Sequence, residues 1–561
     1  MAHLHKKIKR GRPYYYVREV QRIKGKPTVV NQVYLGSADR ILEVFLGKNR
    51  EALPRGFSSK EFGSVFVMDR IDREVDIGGV VDGVLGRRRR TRGPSCGDLF
   101  YYAVLNRAIS PRSKRQLSSW YERTDIQSIR PLRLEALSPQ NFWNHWERVG
   151  EEELERIVDG FFQRVQALGK SDRGHFLFDT TNFYTYVDSR TPSELLKRGR
   201  NKAGKHRLRQ VGFALITQRE TGLPVYYRIY PGNHHDSRFF GEHLEEILEK
   251  LKSMEGDRLE LTLIFDKGMN SEAAIQRIDS EPHLHFITSY SPYFAKELAS
   301  IPLKHFRPLD TNSQVLYLET TWELWGKKRK VLITFNPATF RKKHYELKEK
   351  LQRLRQELYE LRRKYREQDP HWRSRQAVKD HYQRLCERWH LSPAFFNLEF
   401  YTQGGRPQMA FKLNRYQIEA HLRRMAKTIV VTDHQDWSPQ EIHQAYTDRH
   451  VIEGQFRKAK SPFQVAFMPQ YHWTDSKIRI HAFICVAALT YLTVLKTRLA
   501  KAGITLSASS LMEELRSLRT AIYWMPTERK ARRILEEPTP TQLCILQALG
   551  YQVKDGWVVQ S

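Results

Sequence analysis

Two short apolar runs, each closed by an aspartate, constrain the fold of this chain more than any other feature: HFLFD, ending at Asp179, and LELTLIFD, ending at Asp266. Apolar runs this short read as buried strands, and the turn residues Lys267-Gly268 follow the second at once. Between them VGFALITQ and LPVYYRIY flank Glu220-Thr221-Gly222, the pattern of a β-hairpin. FGEHLEEILEKLKSM then places Leu244, Ile247, Leu248 and Leu251 at helical spacing. A short helix near Ala273 and the strand HFITSY come next. The order strand, hairpin, helix, strand, helix, strand predicts an α/β fold over residues 171–290, a mixed sheet with flanking helices.

Residues 291–427 interrupt that order. Strands around VLYLET and KVLITF lead into a long charged helix, where Phe340, His344, Leu347, Leu351, Leu354, Leu358, Leu361 and Tyr365 form a heptad seam. Asp369-Pro370 ends it, and Val378, Tyr382, Leu385 and Trp389 repeat the spacing on a second helix. The segment is expected to be an insertion with strands and a helical hairpin that closes its own seam; the alternative is a seam that dimerises the chain. TIVVTD resumes the sheet, so 428–500 forms the second part of the core. Ahead of the core, 1–60 reads as a small β unit in which PYYYVREVQRI and PTVVNQVYL flank Gly25-Lys26. Residues 61–170 read as a helical, DNA-binding region. There Ser110-Pro111 has the form of an N-cap with proline after it, as in a helix-turn-helix, and the arginines of Gly86–Gly93 form a loop able to lie along phosphates. Residues 501–561 read as a C-terminal helical region.

Charge supports a nucleic-acid partner: 94 Lys and Arg stand against 63 Asp and Glu, a net +31. No membrane is expected, because the apolar run from Ala482 to Leu495 falls short of the roughly 20 residues a span needs and reads as a buried helix. MAHLHKKIKRGR lacks the apolar segment of a signal peptide. Four cysteines without a CxxC pair point away from disulfides and structural zinc, towards the cytoplasm.

One basic stretch, YTDRHVIEGQFRKAK, holds a lone glutamate. Ser438-Pro439-Gln440-Glu441 has the form of a capping box that opens its helix. At about 100° per residue, Tyr446, Arg449, Glu453, Arg457 and Lys460 share one stripe, beside an apolar stripe of Ala445, Ile452, Phe456 and Ala459. A surface helix laced with i,i+4 ion pairs carries such a pattern too. What distinguishes this one is the pair of strand-end aspartates. Asp179, Asp266 and Glu453 brought together would repel one another unless divalent cations lay between them; oxygen ligands suit Mg2+ or Mn2+, and two such ions serve phosphodiester cleavage. His234, His235 and Asp236 lack a third ligand at zinc spacing, and Tyr317, Trp322 and Trp325 divide between core packing and base stacking. Gly454 costs its helix about 1 kcal/mol unless something approaches its backbone closely.

Tyr446, Arg449, Glu453 and Lys460 match the Y-x2-R-x3-E-x6-K signature, and in this the chain resembles DDE transposases of bacterial insertion sequences, of the insertion-sequence-4-like branch. FDTTNFY and FDKGMNS resemble that family's two aspartate blocks, and RIHAFICVAALTYL its closing helix. The resemblance implies an RNase H-like fold and a catalytic triad of Asp179, Asp266 and Glu453 holding two Mg2+ or Mn2+ ions. It implies DNA contacts by Tyr446, Arg449 and Lys460, with Arg457 added by position. It also implies cleavage at terminal inverted repeats, strand transfer into double-stranded target DNA, a synaptic homodimer, and a prokaryotic, nucleoid-associated setting. A nuclease of the same fold without strand transfer, and a non-catalytic repressor derived from a transposase, remain alternatives. The family's better-known members carry a mainly β insertion, from which the helical hairpin departs.

Overall fold

The computed structural model describes residues 2–9, 12–23, 26–46, 56–86, 93–168, 174–200, 204–255, 260–468, 471–525 and 531–561. The expected arginine loop, Arg87–Arg92, lies outside the described residues. The chain divides into two compact units: one of Met1–Lys170, Thr180–His234 and Glu453–Ser561, the other of Ser171–Asp179 and His235–Ile452. Helices and a mixed sheet make it a mixed α/β protein.

The first unit opens with a three-stranded antiparallel sheet, Ala2–Lys9, Arg12–Ile23 and Lys26–Ser37. The last two are the expected hairpin; the first strand, whose apolar residues Leu4 and Ile8 stand apart among histidines and lysines, was not read as a strand. Its helical core gathers Gly63–Val75, Ile77–Leu85, Cys96–Ile109 and Glu151–Ala167 with the long helix Asp475–Lys501. From Ile480 to Leu495 that helix is mostly apolar on every side because every one of those residues is buried. Phe483 meets Phe100 and Phe161, and the Tyr491 hydroxyl donates to Asp72 Oδ1 at 2.6 Å. By length and composition it is long enough to cross a bilayer, which corrects the shortness read from its apolar run, while the expectation of a buried helix holds. Its burial is what accounts for it, since 94% of its most apolar window lies inside the protein.

Ser110 does not open a helix. It is the C-cap of Cys96–Ile109, and the Asn106 side chain folds the chain back by bonding Ser110 O and Arg112 N, so helix resumes only at Lys114. Residues 501–561 are not simply helical: besides Ala508–Ser517 and Pro540–Ala548 they hold four short strands among the described residues. One of these, Arg519–Trp524, pairs with Gly56–Glu61. The hairpin Arg209–Gln218 with Pro224–Pro231 forms as expected.

The sheet of the second unit runs in the order Arg307–Pro308, Leu316–Leu324, Lys327–Phe335, Lys427–Thr432, Leu284–Tyr290, Leu261–Phe265 and the start of His175–Tyr184. The last three are parallel and the rest antiparallel. The two strands assigned to the insertion therefore extend the core sheet: Val331 sits opposite Val431. Beyond Phe335 the insertion is the helical hairpin Pro337–Arg366 and Arg375–Trp389, with Phe396–Gln403 paired to Arg406–Leu413. Leu354, Leu358 and Leu361 are buried with Val378, Tyr382 and Leu385, so the heptad seam is closed within the hairpin, and Phe396 and Met409 complete the cluster.

Candidate active site

Asp266 directly follows the strand Leu261–Phe265, as expected, whereas Asp179 is fifth in the ten-residue strand His175–Tyr184 and does not end it. Thr180 and Thr181 are β-branched and buried, and they continue the strand. The two strands are parallel, with Phe176 opposite Leu263 and Leu177 opposite Ile264. Carried on by two residues, that register sets Asp179 level with Asp266, on strands about 4.8 Å apart. Phe178 and Phe265, one position earlier, are buried on the other face, where both pack on Phe240 at 5.0 Å. The two aspartates therefore share the face opposite the helix Asp236–Glu255.

Asp266 is held by three donors. Arg449 Nη1 lies 3.1 Å, the Tyr446 hydroxyl 3.2 Å and Ser289 Oγ 3.3 Å from its Oδ1. Arg449 Nη1 also donates to the Tyr446 oxygen at 2.7 Å. Behind them Asn270 donates to Ser289 O and accepts from Thr288 Oγ1. Burial, foremost, pushes the Tyr446 phenol above its ordinary pKa and keeps it a donor. Ser289, Asn270 and Thr288 escaped the sequence reading, although strand alternation places Ser289 near the end of HFITSY. Within this unit a cleft of about 1130 Å³ is lined by Asp266 and Tyr446 together with Lys267, Lys296, Lys343 and Lys350, a basic approach to the carboxylate.

The glutamate stretch is not one helix. Pro439–Thr447, opened by the expected Ser438–Glu441 capping box, gives way to a turn at Asp448-Arg449 before His450–Lys460 begins. Three-residue hydrogen bonds from Arg449 N to Tyr446 O and from Val451 N to Asp448 O tighten the chain there. The predicted apolar stripe survives, with Ala445, Ile452, Phe456 and Ala459 all buried. Glu453 and Arg457 are exposed one turn apart. Gln455 anchors the helix by donating to Gly222 O at 2.6 Å and Thr493 Oγ1 at 3.2 Å. Lys458 Nζ donates to Gln455 Oε1, and burial, ahead of Lys496 and Arg457, lowers its pKa to about 8. Lys460 Nζ donates to Thr181 Oγ1 at 2.6 Å. Among the described residues a Cβ on Gly454 would meet nothing closer than Arg457 Nη2 at 3.9 Å, so no close approach by the chain itself explains that glycine.

Among the described residues no three His, Cys, Asp or Glu side chains gather to hold a metal ion, the His234–Asp236 loop included. The level pair Asp179 and Asp266 nevertheless fits a hard divalent cation in donor chemistry, since neighbouring carboxylates that repel are reconciled by one. Trp325 packs against Phe286 and Tyr290, while Tyr317 and Trp322 are half-buried on the strand Leu316–Leu324.

A family model described as the transposase DDE domain matches residues 157–489, more than half of the chain's 561 residues and a span that contains Asp179, Asp266 and Glu453. No curated protein matches. Among solved structures, the cryo-EM structure of a piggyBac transposase synaptic complex with hairpin DNA is similar at 10% identity over 81% of this chain and 79% of that one, with a TM-score of 0.38, a likeness too distant to bear on what this chain does. By the match over 157–489, the chain belongs to the transposase DDE domain family.

Proposed function

We propose that this protein is a transposase of RNase H-like fold that cuts DNA at the ends of its element and joins the freed 3′-hydroxyl to target DNA. The carrying observation is the parallel pairing of His175–Leu177 with Thr262–Ile264, two residues ahead of Asp179 and Asp266, inside the matched family domain. Asp179, Asp266 and Glu453 would hold the metal, Mg2+ or Mn2+. When bound, two such ions activate the attacking oxygen and stabilise the leaving one. Arg449, Tyr446 and Ser289 fix the orientation of the Asp266 carboxylate through Oδ1. Arg457, exposed one turn beyond Glu453, grips a phosphate, and Tyr446, Arg449 and Lys460 complete the DNA contacts. The lysine-lined cleft beside Asp266 offers the backbone a cationic path. A homodimer bringing two element ends together, acting on DNA in the prokaryotic cytoplasm, completes the reading.

The test uses a duplex carrying the inverted repeats that flank the gene. Asp266→Asn and Glu453→Gln are each expected to abolish Mg2+-dependent strand cleavage while duplex binding persists. Normal cleavage by either variant refutes the assignment. Cleavage by the wild type without joining of pre-cut ends reduces the protein to a nuclease.

A further inference from the structure

The catalytic reading leaves the first sheet without a role. Across its ladders His3 faces Arg18, His5 faces Tyr16, Lys7 faces Tyr14 and Lys9 faces Arg12, while Tyr16 faces Tyr34 and Arg18 faces Gln32. Partners across a ladder share a face, and neighbours along a strand alternate. One face therefore collects His3, His5, Lys7, Lys9, Arg12 and Arg18, with tyrosines between them. Side-chain contacts agree. Arg18 Nε donates to Gln32 Oε1 at 2.6 Å, and the Tyr34 ring centre lies 6.2 Å from that of Tyr14 and 5.0 Å from that of Tyr16. The His3 and His5 imidazoles are lowered by burial and then by the Arg18 charge.

The opposite face is covered differently. Leu4 and Tyr15 line, with Ile41, Leu42 and Phe45 of the helix Ala38–Leu46, an apolar cavity of about 710 Å³. Among the described residues of the three strands the only acid is Glu19, which alternates into the set of Tyr15 and Val17. The cationic face thus has no carboxylate of its own strands to neutralise it. Lys9 directly opposite Arg12 is a like-charge pair that costs the sheet stability until a polyanion covers it. The outer strand axes lie roughly 10 Å apart, which lets side chains of this face reach phosphates on both walls of a major groove about 12 Å wide.

We infer that this face binds double-stranded DNA, lying against the major groove with Lys7, Lys9 and Arg12 on phosphates and Arg18 and Gln32 towards base edges. It is a recognition surface built from residues outside the carboxylate machinery, and it places DNA reading in the β unit as well as the helical region. The choice of DNA rests on the transposase reading; the choice of face rests on the strand register.

Lys6 and Lys7 are adjacent, both exposed, and on opposite faces, so they test the assignment at equal cost in charge. Binding of the full-length protein to the flanking-repeat duplex is measured by fluorescence anisotropy against salt concentration, without divalent metal so that cleavage plays no part. Lys7→Ala is expected to weaken binding several-fold and to lower the log–log salt slope by about 0.9, the loss of one phosphate contact. Lys6→Ala leaves both unchanged, and Arg12→Ala with Arg18→Ala weakens binding further than Lys7→Ala. Equal effects of Lys6→Ala and Lys7→Ala, no effect of either, or tighter binding to a single strand or an RNA hairpin than to the duplex overturns the inference. Face-dependent binding by a protein that never cleaves counts against the catalytic reading alone, and cleavage with Lys7→Ala binding normally counts against the face alone.

Discussion

Asp266 meets Arg449, Tyr446 and Ser289 through a single oxygen, and the Tyr446 hydroxyl both donates to that oxygen and accepts from Arg449. The phenol is thus a coupling group between a cation and the carboxylate it steers. Tyr446→Phe removes one hydrogen bond from Asp266 and one acceptor from an arginine whose side chain is 13% exposed. The expected cost is about 1–2 kcal/mol in stability and roughly a ten-fold loss of cleavage through a misoriented carboxylate. Because burial, foremost, raises the Tyr446 pKa, the donor persists through alkaline pH, and the wild-type rate should show no decline from its ionisation below about pH 10. Cleavage measured across pH for both proteins checks this. An unaltered rate in Tyr446→Phe would show that the hydroxyl steers nothing.

The helix His450–Lys460 carries Glu453 on an exposed side, while Gln455, Phe456 and Ala459 fix the buried one. Gly454 sits between these faces, where among the described residues an added Cβ would meet only Arg457 Nη2, in ordinary van der Waals contact at 3.9 Å. Gly454→Ala is therefore expected to stabilise the protein by up to about 1 kcal/mol, seen as a higher Tm, with cleavage unchanged. A loss of activity would mean that the backbone there is approached by DNA. Much of this element was legible in the sequence: the Ser438 capping box and the apolar stripe are local patterns, and both are present. The turn at Asp448-Arg449 was not, because its tightened hydrogen bonds shift the helical phase too little to disturb the residue spacing. The extension of the aspartate strand past Asp179 was hidden by polar threonines that a sheet accepts as readily as valines. The heptad seam announced its own partner, since Val378, Tyr382 and Leu385 repeat its spacing nearby. By contrast, the pairing of Val331 with Val431, and of Arg519–Trp524 with Gly56–Glu61, joins residues far apart in sequence and has no local signature. Of the candidate site, each aspartate block and the glutamate stretch could be read singly; the register that levels Asp179 with Asp266, and the ring of donors on Oδ1, are products of the fold.

Over the whole molecule, a net charge of +31 makes acid a general threat, since every added proton increases self-repulsion. Each unit also keeps a histidine neutral. Burial, foremost, lowers His434 to about 4; the His285 charge adds to this, His175 contributes, and Asp433 and Asp436 oppose it. Burial likewise drives His481 well below its ordinary value, helped by Arg107, His472 and Lys114. An unfolded histidine takes its proton near pH 6.5. A depressed folded pKa therefore contributes stability that is present above about 6.5 and lost as pH falls towards the folded value. Several groups act the other way, Glu61 and Glu536 among them, each raised by burial. His285, raised by its hydrogen bond with Asp433, and Asp72, raised by burial to about 6, both favour the fold as pH falls. The acid limb of the wild type is a sum of opposing signs, so the informative quantity is a difference between proteins. His434→Gln lowers Tm at about pH 7, where it disturbs the stacking on Trp437 and the contact with Thr262 Oγ1, but it cannot be protonated. The Tm gap between wild type and His434→Gln is thus expected to narrow steadily between about pH 6.5 and about pH 4. A gap that stays constant over that window would show that His434 is not held neutral, and that its burial is relieved by a partner at each protonation step.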